Sequence, residues 1–226
     1  MSKMKKANFN DMFEFEPQTT NQRIAYDAWD DDDNLVLTGS AGTGKTFVAM
    51  YLAIEAVLTK ETPYDRVVIV RSVVPTRDMG FLPGTIEEKK EVFETPYKAI
   101  CNELFGDVNI YDRMIANNQL QFTTTSLIRV FTIDNAVVIG DEMQNLNFHE
   151  LDSVITRVVT NCRVIFSGDY LQSDFKDPAE RDGIQRFLRI IDQLKNFSVV
   201  SFNWHDIVRS DFLRDYIMTK EMLGIK

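Results

Sequence analysis

The chain has 226 residues, 44% of them hydrophobic and 11% aromatic, enough to fill one sizeable core, which excludes a disordered chain. Lys and Arg total 25 against 34 Asp and Glu, for a net charge of -9. This excludes a protein that coats nucleic acid by bulk charge and leaves room only for a local basic groove.

In chain order, the basic start (Lys3, Lys5, Lys6) runs into Asp11, Glu14 and Glu16 and does not read as a signal peptide. No apolar run approaches the ~18 residues of a membrane span. Cys101 and Cys162 are far apart with no CxxC pair, so neither a disulfide scaffold nor a zinc site is expected, and a reducing cytoplasm fits. A helix starts just after Gln22 and reaches Trp29, and Asp30 to Asp33 form a solvated turn. Leu35 to Leu37 is the first buried strand, followed by a glycine turn and a helix from about Lys45 to Leu58. Arg66 to Val70, Ala136 to Ile139 and Arg163 to Phe166 are apolar at nearly every position, as strands covered on both faces should be. Phe197 to Phe202 is a fifth strand and the Thr-rich Leu120 to Thr124 a sixth.

Between them, Thr85-Ile-Glu-Glu88 has the capping-box pattern and opens a helix towards Phe105. Leu151, Val154, Ile155, Val158 and Val159 lay one apolar stripe along a helix, and Ile184, Phe187, Leu188, Ile191 and Leu194 lay another. The rhythm of short strands and longer helices predicts an α/β fold, a mainly parallel sheet flanked by helices. No Ser/Gly-rich linker cuts the chain, so residues 1–226 read as one domain with a helical insertion at about 85–118.

Gly39-Ser40-Ala41-Gly42-Thr43-Gly44-Lys45-Thr46 satisfies G-x-x-x-x-G-K-[ST] without a mismatch, between a strand and a helix as that motif requires. Glycines let backbone N–H groups turn in around an anion, and the helix N-terminus adds its positive end. Lys45 then reaches the β- and γ-phosphates of ATP, and the Thr46 hydroxyl ligates Mg²⁺. Val137-Val-Ile-Gly140-Asp141-Glu142 is an apolar strand ending in two carboxylates. Asp141 suits the metal, and Glu142 suits the proton of an attacking water. Upstream, the Gln22 amide has the donor and acceptor to pair with adenine, although glutamine at a helix start is more often a plain surface residue. Ser167-Gly168-Asp169 through Gln172 puts further polar groups at a strand end, where open α/β sheets bind ligands.

These segments together resemble motifs I, II and III of superfamily 1 helicases, and more closely the PhoH family of P-loop ATPases. The closer match rests on Gln22, Val70-Arg71-Ser72, Gly80 to Gly84 followed by Glu87-Glu-Lys89, Ile139 to Asn145, and Asp206-Ile-Val-Arg209, in one order from about Gln18 to Ile217. The resemblance implies a RecA-like fold, adenine contact at Gln22, phosphate and metal contact at Lys45, Thr46 and Asp141, and water activation at Glu142. It implies a γ-phosphate sensor at Gln172 and a late arginine at Arg209, acting within one subunit or from a neighbour. It also implies a link to RNA or single-stranded nucleic acid, and a short phage-type protein in the host cytoplasm. Two positions depart from the family pattern: Ser72 stands where Pro is usual, and Ser210 where His is usual.

The loop from Arg71 to Arg77 and on to Lys89-Lys90 has the charge to bind backbone phosphates, with Phe81 available to stack on a base; its alternative is a packing loop. Two other functions stay open. One is a small P-loop kinase, disfavoured by Glu142 and Gln172 and by the lack of an Arg-rich lid. The other is a binding module switched by ATP. Superfamily 1 helicases place ATP between two motor domains. With one such motif series in 226 residues, a homo-oligomeric ring such as a hexamer is expected to complete the site.

Overall fold

Six segments each form a strand where the sequence places one, and all six join a single parallel sheet. The strands are β1 (Asn34–Gly39), β2 (Arg66–Arg71), β3 (Leu120–Thr124), β4 (Ala136–Gly140), β5 (Cys162–Gly168) and β6 (Phe197–Phe202), in the order β3-β2-β4-β5-β1-β6. Every neighbouring pair runs parallel. The computed structural model describes residues 5–72, 86–169, 178–208 and 210–224, and within these the side chains of all but 86–90, 178–182 and 221.

Alternation along the strands divides the core in two, because successive side chains point to opposite faces. Leu35, Leu37, Ile69, Ile139 and Ile165 face α1 (Thr20–Asp30), α2 (Lys45–Leu58), α3 (Ile86–Phe105) and α4 (Ile110–Ala116). Val36, Val68, Val138, Val164 and Phe166 face α5 (Thr125–Ile128), α6 (Phe148–Arg157) and α7 (Pro178–Ile191). The remaining helix, α8 (Asp211–Met222), follows β6. Among these, α2 has almost no polar face and buries nine of its 14 residues, including Met50, Leu52 and Ile54. Each such side chain contributes about 1.5–3 kcal/mol on burial, so the helix behind the glycine loop is held firmly from all sides.

Two helices stop short of their apolar stripes. α6 ends at Arg157, and Val158 is extended because the chain pairs with Ile133: Ile133 N donates to Arg157 O and Val159 N to Ile133 O. That bridge captures the carbonyl and N–H that further helical turns would use, and Val159 is left exposed. α7 likewise ends at Ile191, leaving Leu194 outside it and partly exposed. Among the described residues no helix is long and apolar enough to cross a membrane.

Candidate functional site

The carboxyl ends of β1, β4 and β5 open into one cleft of about 890 Å³, lined among others by Gln22, Lys45, Thr46, Arg71, Asp141 and Glu142. The strand order explains the meeting. β5 lies between β1 and β4, so the loop after β1 and the carboxylates after β4 converge above the end of β5.

The loop is built on backbone that only glycine adopts cheaply. Gly39 has φ of +116°, and a Cβ there would lie 1.8 Å from the Phe202 carbonyl oxygen of β6. Gly44 has φ of +82° and sits at the N-cap of α2 without a side-chain capping bond. Glycine has no side chain to cap the first N–H groups of α2, which lie at the positive end of a 14-residue helix. Lys45 Nζ lies across the loop, donating to the carbonyls of Gly39 at 2.8 Å and Ser40 at 2.6 Å. Burial pulls its pKa down, while Asp169, Glu142 and Asp141 oppose that shift.

Asp141 is almost fully buried and accepts three hydroxyl bonds. Thr46 Oγ1 donates to its Oδ1 at 3.1 Å, Ser167 Oγ donates to the same oxygen, and Tyr97 Oη donates to Oδ2 at 2.6 Å. Glu142, beside it, has φ of 53° and ψ of 46°, a left-handed conformation that costs a non-glycine residue roughly 1–2 kcal/mol. Burial pushes its carboxyl pKa up and the charge on Asp141 pushes it further, against Arg71, Gln144 and Lys45. Gln144 Nε2 donates to Glu142, while Gln144 Oε1 accepts from Asp169 N at 3.0 Å, which ties the loops after β4 and β5 together.

Gln22 is buried rather than on the surface. Its Nε2 donates to Thr43 O at 3.2 Å and its Oε1 accepts from Gln18 N at 2.8 Å, so it joins the glycine loop to the chain entering α1. An amide carries two donors and two lone pairs, and these two bonds use one of each. Gln172 and Arg209 lie outside the described residues, as do Thr85, Arg77, Phe81 and the side chains of Lys89 and Lys90. Val208, next to Arg209 in the chain, lines the cleft.

Sequence reading leaves Arg71 between a phosphate-binding loop and a packing loop, and gives Tyr97 no role. The structure turns the half-buried Arg71 inward, 5.5 Å from the Phe93 ring and against Tyr97; burial works to lower its pKa, but Tyr97, Asp141 and Glu142 together raise it. The helical insertion also supplies a wall of the cleft, through Pro96, Ile100 and Glu103 of α3. A signal for Tyr97 was present but weak. Phe93, Tyr97, Cys101 and Leu104 form the buried stripe of α3, and a tyrosine in such a stripe needs a partner for its hydroxyl. In the acidic run before β1, Asp33 accepts from Ser198 Oγ at 2.6 Å, and Asp32 is exposed against Arg163.

The residues present fit a nucleotide phosphate chain and a divalent cation. The glycine loop and the α2 N-terminus offer donors, and the Thr46 hydroxyl beside the Asp141 carboxylate is a hard oxygen pair of the kind Mg²⁺ prefers.

A parallel sheet with this loop after β1 and this carboxylate after β4 defines a P-loop NTPase fold. The family model described as "PhoH-like protein" matches residues 14–220, and the chain belongs to that family. The PhoH-like protein of Mycobacterium leprae is 28% identical over 203 residues, covering 89% of this chain and 57% of the relative. That of Synechocystis is 30% identical over 205 residues, covering 90% and 61%. Protein PhoH of Escherichia coli K12 is 32% identical over 175 residues, covering 76% and 49%. The chain thus spans about half to three-fifths of the length of these curated relatives. Among solved structures, the large terminase of a thermophilic bacteriophage shares the fold at a TM-score of 0.53 and 13% identity, over 92% of this chain and 50% of that one.

Proposed function

We propose that the chain binds ATP with Mg²⁺ and hydrolyses it. The observation that carries this reading is the placement of Glu142, a half-buried carboxylate of raised proton affinity, beside the Thr46–Asp141 pair and across from Lys45. Mg²⁺ between Thr46 and Asp141 would supply charge neutralisation on the β- and γ-phosphates. Lys45 exchanges the carbonyls of Gly39 and Ser40 for phosphate oxygens, and the α2 N-terminus faces the same anion. Glu142 orients a water and accepts its proton, a task for which a raised pKa suits a carboxylate. Gln144 holds the Glu142 carboxylate in place. Gln22 is proposed to read the adenine edge with its remaining donor and lone pair.

Gln172 as γ-phosphate sensor and Arg209 as the arginine that steadies transition-state charge rest on the sequence resemblance. So do coupling to RNA or single-stranded DNA and assembly into a homo-oligomeric ring, with Arg209 acting in cis or from a neighbouring copy.

The test is ATP turnover with and without single-stranded RNA and DNA, run beside a native-mass measurement. Mg²⁺-dependent phosphate release is expected, stimulated by one of the polymers and carried by an oligomer. Absence of release under all conditions would sink the hydrolytic reading. A strictly monomeric enzyme with full turnover would sink the ring.

A further inference from the structure

Tyr97 is fully buried, yet its hydroxyl reaches the carboxylate at the centre of the cleft, 2.6 Å from Asp141 Oδ2. Thr46 and Ser167 both donate to the other oxygen, Oδ1. Asp141 is thereby gripped from α2, β5 and α3, and Tyr97 alone of the three holds Oδ2. Without that bond the carboxylate has a broad, two-fold torsion about which to swing.

Three further features single out this contact. The ring of Tyr97 packs against Phe122 of β3 with centroids 5.9 Å apart, so a phenylalanine would fill the same space and the hydroxyl is not needed for packing. Arg71 lies against Tyr97 and faces Asp141 and Glu142, so one phenol touches both a cation and a carboxylate of the cleft. Pro96 lies inside α3 immediately before Tyr97 and lines the cleft. Proline has no N–H to donate to the carbonyl four residues back, and helices bend at such positions.

We propose that Tyr97 is a positioning residue of the nucleotide site: its hydroxyl fixes the plane of the Asp141 carboxylate so that Oδ1 stays beside Thr46, and its contact with Arg71 sets that guanidinium over the same carboxylate. The proposal rests on the reading of Thr46 and Asp141 as the metal side of an ATP site. Groups that orient a metal-side carboxylate act chiefly on metal affinity, and their loss typically lowers it 10–100-fold. The phosphate loop and the base contacts do not pass through Tyr97. Metal-free nucleotide binding should therefore not depend on the hydroxyl.

The experiment titrates Mg²⁺ into the full chain with a fluorescent, non-hydrolysable ATP analogue, for the wild type, Tyr97→Phe and Phe122→Leu. Tyr97→Phe removes one oxygen; Phe122→Leu disturbs the same packing and keeps the hydroxyl. The expected result is that Tyr97→Phe needs roughly tenfold more Mg²⁺ for tight binding, with unchanged affinity in EDTA, while Phe122→Leu follows the wild type. Tyr97→Met, apolar and flexible at the same site, carries the same expectation should the phenylalanine variant fail to fold. Coincident Mg²⁺ curves for wild type and Tyr97→Phe would overturn the role of Tyr97 and leave the ATP site standing. Equal losses in EDTA and in Mg²⁺, shared with Phe122→Leu, would reduce Tyr97 to packing and overturn it too. A wild type that binds the analogue with no response to Mg²⁺ would overturn the metal-side reading first, and this inference with it.

Discussion

One strand, β5, ends in opposite kinds of chemistry. At its amino end Arg163 is almost fully buried, its guanidinium 3.3 Å from the centre of the Trp29 ring and bonded to the carbonyls of Trp29 at 2.7 Å and Asp33 at 2.5 Å. At its carboxyl end Ser167 meets Asp141 in the cleft, where Arg71, Lys45 and two adjacent carboxylates crowd together. Both ends bury charge. The amino end sets its cation against two neutral carbonyls, an aromatic face and the exposed Asp32 carboxylate. The carboxyl end sets like charges side by side and holds Glu142 in left-handed backbone. Such an arrangement is stable only because the surrounding sheet and α2 over-determine it, and it is the kind of strain that collects at functional sites. The two ends thus differ in what their buried charges meet: neutral carbonyls and a ring at one, adjacent carboxylates at the other.

The greatest change is expected in turnover. Glu142→Gln should lower ATP hydrolysis by on the order of 10²–10⁴ while nucleotide binding survives, because a neutral amide cannot take the proton of the attacking water. Steady-state phosphate release and analogue binding measured on the same preparation check this; hydrolysis at the wild-type rate would remove Glu142 from the chemistry. The same variant should melt at a higher temperature than the wild type, since it deletes a half-buried negative charge beside the buried Asp141.

Arg163→Ala should move stability the other way. It removes charge-assisted bonds to two carbonyls and a close cation–π contact, together about 3 kcal/mol. For a chain of this size that is a fall of roughly 9 °C in melting temperature. Nucleotide affinity should be unchanged below the new transition. Opposite signs of the two melting shifts would confirm the division between the two ends of β5; shifts of the same sign would undo it.

The sheet was largely legible because a strand buried on both faces has one signature, a continuous apolar run, which β1, β2, β4 and β5 carry, while the Thr-rich β3 and the alternating β6 lie at its two edges. The glycine loop was legible because its constraint is local: positive φ at Gly39 and Gly44 leaves few residue choices. What escaped depends on partners distant in sequence. The stripe Leu151 to Val159 carries helical spacing to its end, yet the bridge to Ile133 takes over at Val158. Arg71 sits near other cations in the sequence and so reads as part of a basic loop, whereas burial against Phe93 and Tyr97 decides where it points. Tyr97 meets Asp141 across 44 residues, a separation no motif records.

The least change is expected from the acidic run before β1. Asp32 pairs with Arg163 at 3.6 Å, but its side chain is 93% exposed. An exposed ion pair of this kind contributes between nothing and about 1 kcal/mol, screened further by salt. Asp32 also has φ of 65°, in the left-handed region that asparagine tolerates well. Asp32→Asn therefore keeps the turn's preferred backbone while deleting the charge, and its melting temperature should stay within roughly 2 °C of the wild type. The comparison with Arg163→Ala is then direct, because both variants lose the ion pair and only one loses the carbonyl bonds and the ring. If Asp32→Asn were as damaging as Arg163→Ala, surface charge would be holding the amino end of β5, and the account of Arg163 as held chiefly by its carbonyls and the Trp29 ring would fail.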